Sequence, residues 1–156
     1  MWPQKPDLYV PDRFPTWALA HPDGSVYYGF PMLSDNRGLK VAHHRRGQPT
    51  DPDSVIRDVL PGDEEDFRPT LKRFLPSADG PLLAIGVCLY TNSMDSHFII
   101  DRHPVSDRVT FACGFSGHGF KFAPVIGEVL ADLAVSGQTA LPIGFLRLNR
   151  FASRPQ

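Results

Sequence analysis

Val109-Thr110-Phe111-Ala112-Cys113-Gly114-Phe115-Ser116-Gly117-His118-Gly119 is followed, after Phe120-Lys121-Phe122-Ala123, by Pro124-Val125-Ile126-Gly127-Glu128-Val129-Leu130-Ala131-Asp132-Leu133-Ala134-Val135-Ser136-Gly137. The β-branched and aromatic run at 109–113 predicts a strand. A helix is predicted over 124–136, because proline stands where a missing N–H costs nothing and Gly137 lies just beyond the end. Val125, Val129, Leu130 and Leu133 recur at helical spacing, so one face of that helix packs on something apolar. The loop between strand and helix can turn backbone amides and the positive helix end toward an anion or a polarised carbonyl. Its spacing is Gly-x-x-Gly-x-Gly rather than Gly-x-Gly-x-x-Gly, and no acidic ribose partner follows, so alone it reads as a structural turn.

Working outward, residues 82–90 form a long apolar run that predicts a buried strand. A turn at 92–96 and a strand at 97–101 follow, and that pair carries Cys88. Residues 63–75 have acidic side chains first and basic ones last, as a helix dipole prefers, with Pro69 set to kink the helix or delay its start. Residues 51–59 read as a loop with a helical turn. The runs 26–30 and 39–43, separated by the polar residues 34–38, predict an antiparallel hairpin. On its second strand Lys40, Ala42 and His44 share one face, and Leu39, Val41 and His43 the other. Residues 7–22 are punctuated by proline and predict an irregular segment with one short strand.

The 156 residues are 42% hydrophobic, enough for an ordinary globular core. Sixteen Lys and Arg against 17 Asp and Glu leave no global field for nucleic acid or an anionic membrane. Cys88 and Cys113 are the two cysteines, too few for a disulfide framework or a four-cysteine zinc site, which points to a reducing compartment. Without an apolar N-terminal leader, a spanning segment or a peroxisomal C-terminus, the expected location is the cytoplasm. Six histidines invite a metal site. Adjacent His43 and His44 would face opposite sides of a strand, however, and no His-x-x-x-His helix exists, so no metal is expected.

Six motifs carry a family resemblance: Tyr27-Tyr28-Gly29-Phe30-Pro31, Gly38-Leu39-Lys40-Val41-Ala42-His43-His44, Asp51-Pro52-Asp53, Cys88-Leu89-Tyr90-Thr91, His97-Phe98-Ile99-Ile100-Asp101, and Gly114-Phe115-Ser116-Gly117-His118-Gly119-Phe120-Lys121-Phe122. In this order they resemble the monomeric sarcosine oxidase and N-methyltryptophan oxidase family of FAD-dependent amine oxidoreductases. The resemblance runs from near Trp2 past Phe151 and is to the C-terminal portion of a family member. The segment 92–96 departs from the family's more usual threonine and acidic residue before the His-Phe pair.

That resemblance implies an α+β fold, the C-terminal part of a two-domain oxidoreductase. Residues 1–80 would belong to an antiparallel substrate-domain sheet, and 81–156 would return to the FAD domain as its final strand and helix. It implies FAD bonded covalently through Cys88, whose thiolate would be held against the flavin edge. Lys40 matches the lysine near flavin N5 that activates oxygen, where a cation stabilises developing negative charge. Lys121 matches a residue binding the substrate carboxylate. Tyr28 and His44 match positions that flank and orient the amine, and His118, between Gly117 and Gly119, matches a histidine beside the flavin. Cys113 has no family counterpart and reads as packing. The implied reaction oxidises an N-methyl or secondary amino acid and reduces oxygen to hydrogen peroxide. The family's ADP-binding turn is absent from the sequence, so an N-terminal FAD-binding half is the implied partner. The alternative is a non-catalytic remnant or subunit docked on a separate FAD-binding polypeptide.

Overall fold

The structure is a computed structural model that describes residues 1–34, 37–44 and 47–152. The middle of the polar link at Asp35 and Asn36, and the C-terminal residues from Ser153, lie outside the described residues. Two compact units form, Met1–Leu89 and Tyr90–Gln156.

The first unit holds a three-stranded antiparallel sheet in the order β1 (Trp17–Ala20), β2 (Val26–Phe30), β3 (Lys40–His44). Tyr27 pairs with both Leu19 and His43, and Phe30 with Lys40. The hairpin expected from 26–30 and 39–43 is therefore present, joined by β1 as a third strand. Strand alternation gives the sheet two faces. Tyr27 and Val41 turn to the rear, where they meet a core of Tyr9, Met32, Leu39, Phe67 and Leu71. Leu71 is wholly buried, and burying one such side chain stabilises by roughly 1.5–3 kcal/mol.

Leu71 comes from α1 (Arg68–Phe74). The helix begins at Arg68, so Pro69 occupies its first turn, where a proline costs no hydrogen bond. Residues 63–67 ahead of it form turns, and the acidic residues there act through side chains instead of helix capping. Arg68 gathers Glu64, Asp79 and the Gly80 carbonyl around its guanidinium. The hydrogen bond to Glu64, then that to Asp79, raise its pKa against the opposing effect of desolvation.

The run 82–90 corrects the sequence expectation. It is not a strand, and Leu83 and Leu89 are exposed. A continuous apolar run becomes a buried strand only with sheet neighbours and covered faces. Among the described residues no ladder partner takes it up: the expected partner segment forms β4 (Ile99–His103), which pairs with β5 (Ser106–Cys113).

In the second unit that β4–β5 hairpin, with a register irregularity at Arg102 and His103, packs on α2 (Ala123–Ser136). Ile126, Val129 and Leu133 from the helix join Phe98, Ile100, Ile143 and Leu146 in one core, with Leu130 against it. Three of the four residues expected on the packed face, Val129, Leu130 and Leu133, are therefore found there, with Ile126 in place of Val125. Val125 is exposed because it lies one position, about 100° around a 3.6-residue turn, from Ile126. Gly137 closes the helix in the left-handed conformation, φ 76°, and its N–H reaches the Leu133 carbonyl. No helix among the described residues is long and apolar enough to cross a membrane.

Candidate functional site

The front face of the first unit's sheet collects three of the sequence-selected residues. Pairing of Val26 with His44, Tyr28 with Ala42 and Phe30 with Lys40 places all six side chains on this side. The Lys40 ammonium lies 5.5 Å from the Tyr28 ring centroid and 5.0 Å from that of Phe30. A cation held over aromatic faces gains about 0.5–1 kcal/mol at an exposed site, which directs Lys40 along the sheet. His44 meets Tyr28 edge-on with centroids 6.2 Å apart, and Tyr28 meets Phe30 in the same way at 6.1 Å. Phe30 belongs to this cluster although sequence reasoning singled out only its neighbours; its place in alternation with Tyr28 was the available signal.

Cys88 belongs to the same unit and presents a free, exposed thiol on the extended segment 82–89. Close by in sequence, the Val87 carbonyl accepts a hydrogen bond from Arg57 at 3.2 Å. Cys113, expected to pack, is instead exposed at the end of β5.

Gly117, His118, Gly119 and Lys121 lie in the second unit. The loop before α2 is tightly built. Ser116 is buried at φ 49°, its N–H donating to the Thr91 carbonyl at 3.0 Å and its hydroxyl to the Gly114 carbonyl at 3.1 Å. The Ser116 oxygen also accepts the Ser93 N–H at 3.2 Å. Gly117 follows at φ 77°, and a Cβ there would stand 2.7 Å from the Tyr90 ring, so glycine is required by both backbone and space. His118 is held by its Nδ1, 3.0 Å from the Ser116 carbonyl, and by the Phe98 ring at 4.8 Å. Lys121 rides an exposed 3₁₀ turn, Phe120–Phe122, with its ammonium 5.6 Å from the Phe122 ring centroid.

Two ion pairs escaped sequence reasoning, since their partners are remote in the chain and carry no local signature. His43 meets Asp66 at 2.9 Å behind β3. Arg150 grips Asp95 with two nitrogens, at 2.8 and 3.0 Å. The Arg150 hydrogen bonds, aided by the His97 N–H, hold the Asp95 carboxyl well below the ordinary carboxylate range. Asp95 thereby anchors the segment 92–96, where its Oδ1 also accepts the Ser93 hydroxyl at 3.2 Å. Among the described residues no cluster of three or more His, Cys, Asp or Glu could hold a metal ion.

The sheet's front face sets a cation against two aromatic rings, a surface on which a flat, conjugated ligand can stack, and Cys88 is a free, exposed thiol.

The chain belongs to the FAD dependent oxidoreductase family, whose model, DAO, matches residues 3–133. Within that class it is 45% identical over 139 residues to the monomeric sarcosine oxidase of Bacillus sp. (strain B-0618), which covers 88% of this chain and 35% of that protein. The monomeric sarcosine oxidase of Streptomyces avermitilis is 42% identical over 149 residues, covering 94% of this chain and 39% of that protein. The N-methyl-L-tryptophan oxidase of Escherichia coli O139:H28 is 39% identical over 154 residues, covering 96% of this chain and 40% of that protein. The chain therefore spans 35–40% of the length of these relatives.

Proposed function

We propose that this chain is part of an FAD-dependent oxidase of N-methyl or secondary amino acids. The observation that carries the reading is the front face of β2 and β3, where Lys40, Tyr28 and His44 stand together on a chain so similar to sarcosine oxidases. When bound, FAD supplies a two-electron acceptor that takes hydride from the carbon beside nitrogen and returns the electrons to oxygen as hydrogen peroxide. The amine becomes an imine, which water hydrolyses.

Each side chain then has a task. Cys88 supplies the sulfur that anchors the cofactor, consistent with its free and exposed thiol. Lys40 places a positive charge where oxygen gains electrons, an electrostatic contribution that grows as water is excluded. Tyr28 and His44 orient the amine, which must be uncharged to release hydride, so a nearby polar group acts through the amine's proton equilibrium. Lys121 binds the substrate carboxylate. Gly117, His118 and Gly119, in the tight loop before α2, contribute to holding the cofactor. The nucleotide-binding part of the family's fold comes from polypeptide outside residues 1–156, and the assembled enzyme works in the cytoplasm.

The test is covalent flavin. The chain is expressed with and without the nucleotide-binding portion of a similar oxidase, precipitated with acid, and examined by mass and visible spectrum. A flavin-sized increment on the peptide bearing Cys88, lost in Cys88→Ala, is the expected result. No increment in either preparation removes the assigned role of Cys88 and favours the alternative of a non-catalytic subunit.

A further inference from the structure

Behind the sheet, on the face opposite Lys40 and His44, lies a polar assembly that the proposed reaction does not use. His43 and Asp66 form its centre, with Nδ1 and Oδ2 2.9 Å apart and each side chain about 15% exposed. An ionised carboxylate only accepts, so the Nδ1 proton lies on His43. The Tyr27 ring stacks on the His43 ring at 4.2 Å, and its hydroxyl donates to the Asp66 carbonyl at 3.5 Å. His21, at the end of β1, packs 5.2 Å from Tyr27 and reaches the buried Thr70 hydroxyl of α1 at 3.4 Å. Residues from all three strands or their ends are thus tied to Asp66 and α1.

We infer that Asp66 and His43 are a positioning pair for the front face, setting the direction of Lys40 and His44 through the backbone of β3. This rests on the reading of Lys40 and His44 as site residues. His43 and His44 are consecutive in an extended strand, so fixing the rotation of one about the strand axis fixes the other on the opposite side. Lys40 follows by the same two-residue alternation. The apolar core behind the sheet specifies its register, since a one-residue slip would expose Tyr27 and Val41, but dispersion contacts are not directional and leave small rotations of a strand about its axis. A directional bond between one imidazole nitrogen and one carboxylate fixes that rotation, a specificity role for a partly buried ionic pair. Small displacements of a site group matter, because misplacement by about 1 Å costs on the order of 100-fold in rate.

The experiment follows the His44 imidazole by ¹³C–¹H NMR in the full chain with labelled histidine, the signal being assigned by its loss in His44→Gln. Asp66→Ala and His43→Phe, the latter keeping the stack on Tyr27, are expected to move the His44 signal. Asp66→Asn, whose amide oxygen still accepts the Nδ1 proton, is expected to leave it in place. In the flavin-loaded assembly, Asp66→Ala should lower kcat about 10-fold, with Asp66→Asn restoring it. An unmoved His44 signal in either folded deletion variant, or a shift in Asp66→Asn as large as in Asp66→Ala, overturns the inference. Failure of flavin to bind defeats the proposed oxidase but leaves the NMR result to decide the pair.

Discussion

Lys40 is exposed and bears its charge over two aromatic rings, so its removal tests chemistry with little risk to the fold. Lys40→Met in the assembled oxidase should slow reoxidation by oxygen by about 100-fold or more, the scale for deleting one preorganised electrostatic group. Stopped-flow absorbance would check this, with reduction by substrate much less affected. Asp95 makes the opposite kind of prediction, one about stability. Its folded pKa is depressed, chiefly by hydrogen bonds from Arg150. The pair's contribution is therefore fully present above the ordinary carboxylate value of about 3.9 and is lost as pH falls below it toward the lower folded value. Thermal melts of the wild type should lose this increment on acidification below pH ~4, and Asp95→Asn should melt lower than wild type at neutral pH while the two converge in acid. That Lys40 and His44 share a face was legible because strand alternation is local, whereas Tyr28 was singled out through the family resemblance and Phe30 was missed. The Arg150 partnership was not legible, since its two ends lie 55 positions apart.

Among the elements, α2 was the most readable, its proline start and glycine stop marking both ends. Val129, Leu130 and Leu133 pack on the core as expected, and only Val125 gives way to Ile126, for the reason that both are apolar and packing alone chooses between them. Leu133, nearly buried among Val129, Ile143 and Leu146, makes the choice measurable. Leu133→Ala should destabilise the second unit by about 2–5 kcal/mol, whereas Val125→Ala should change denaturant midpoints by less than about 0.5 kcal/mol. The segment 82–90 failed for a different reason. Apolar composition reports that a segment prefers burial, but whether it becomes a strand depends on a neighbour offering a free edge, and that information is nowhere in the segment itself.

At the scale of the molecule, the two units each carry a core of their own, one behind the β1–β3 sheet and one between β4–β5 and α2. The hairpin runs and the helix stop signal were legible locally, while the α+β class and a division of the chain in two were expected from the family resemblance, and the extent of the two compact units comes from packing. The chain's length against its relatives sets the larger frame, since it carries 35–40% of their span. Within the first unit the sheet keeps its apolar core behind and Lys40, Tyr28, Phe30 and His44 in front. That separation bears on how such a surface changes over generations. Exchanges at Tyr28, Phe30 or His44 trade front-face contacts without opening a hole in the core around Leu39 and Leu71, so this surface is free to vary while the scaffold survives it.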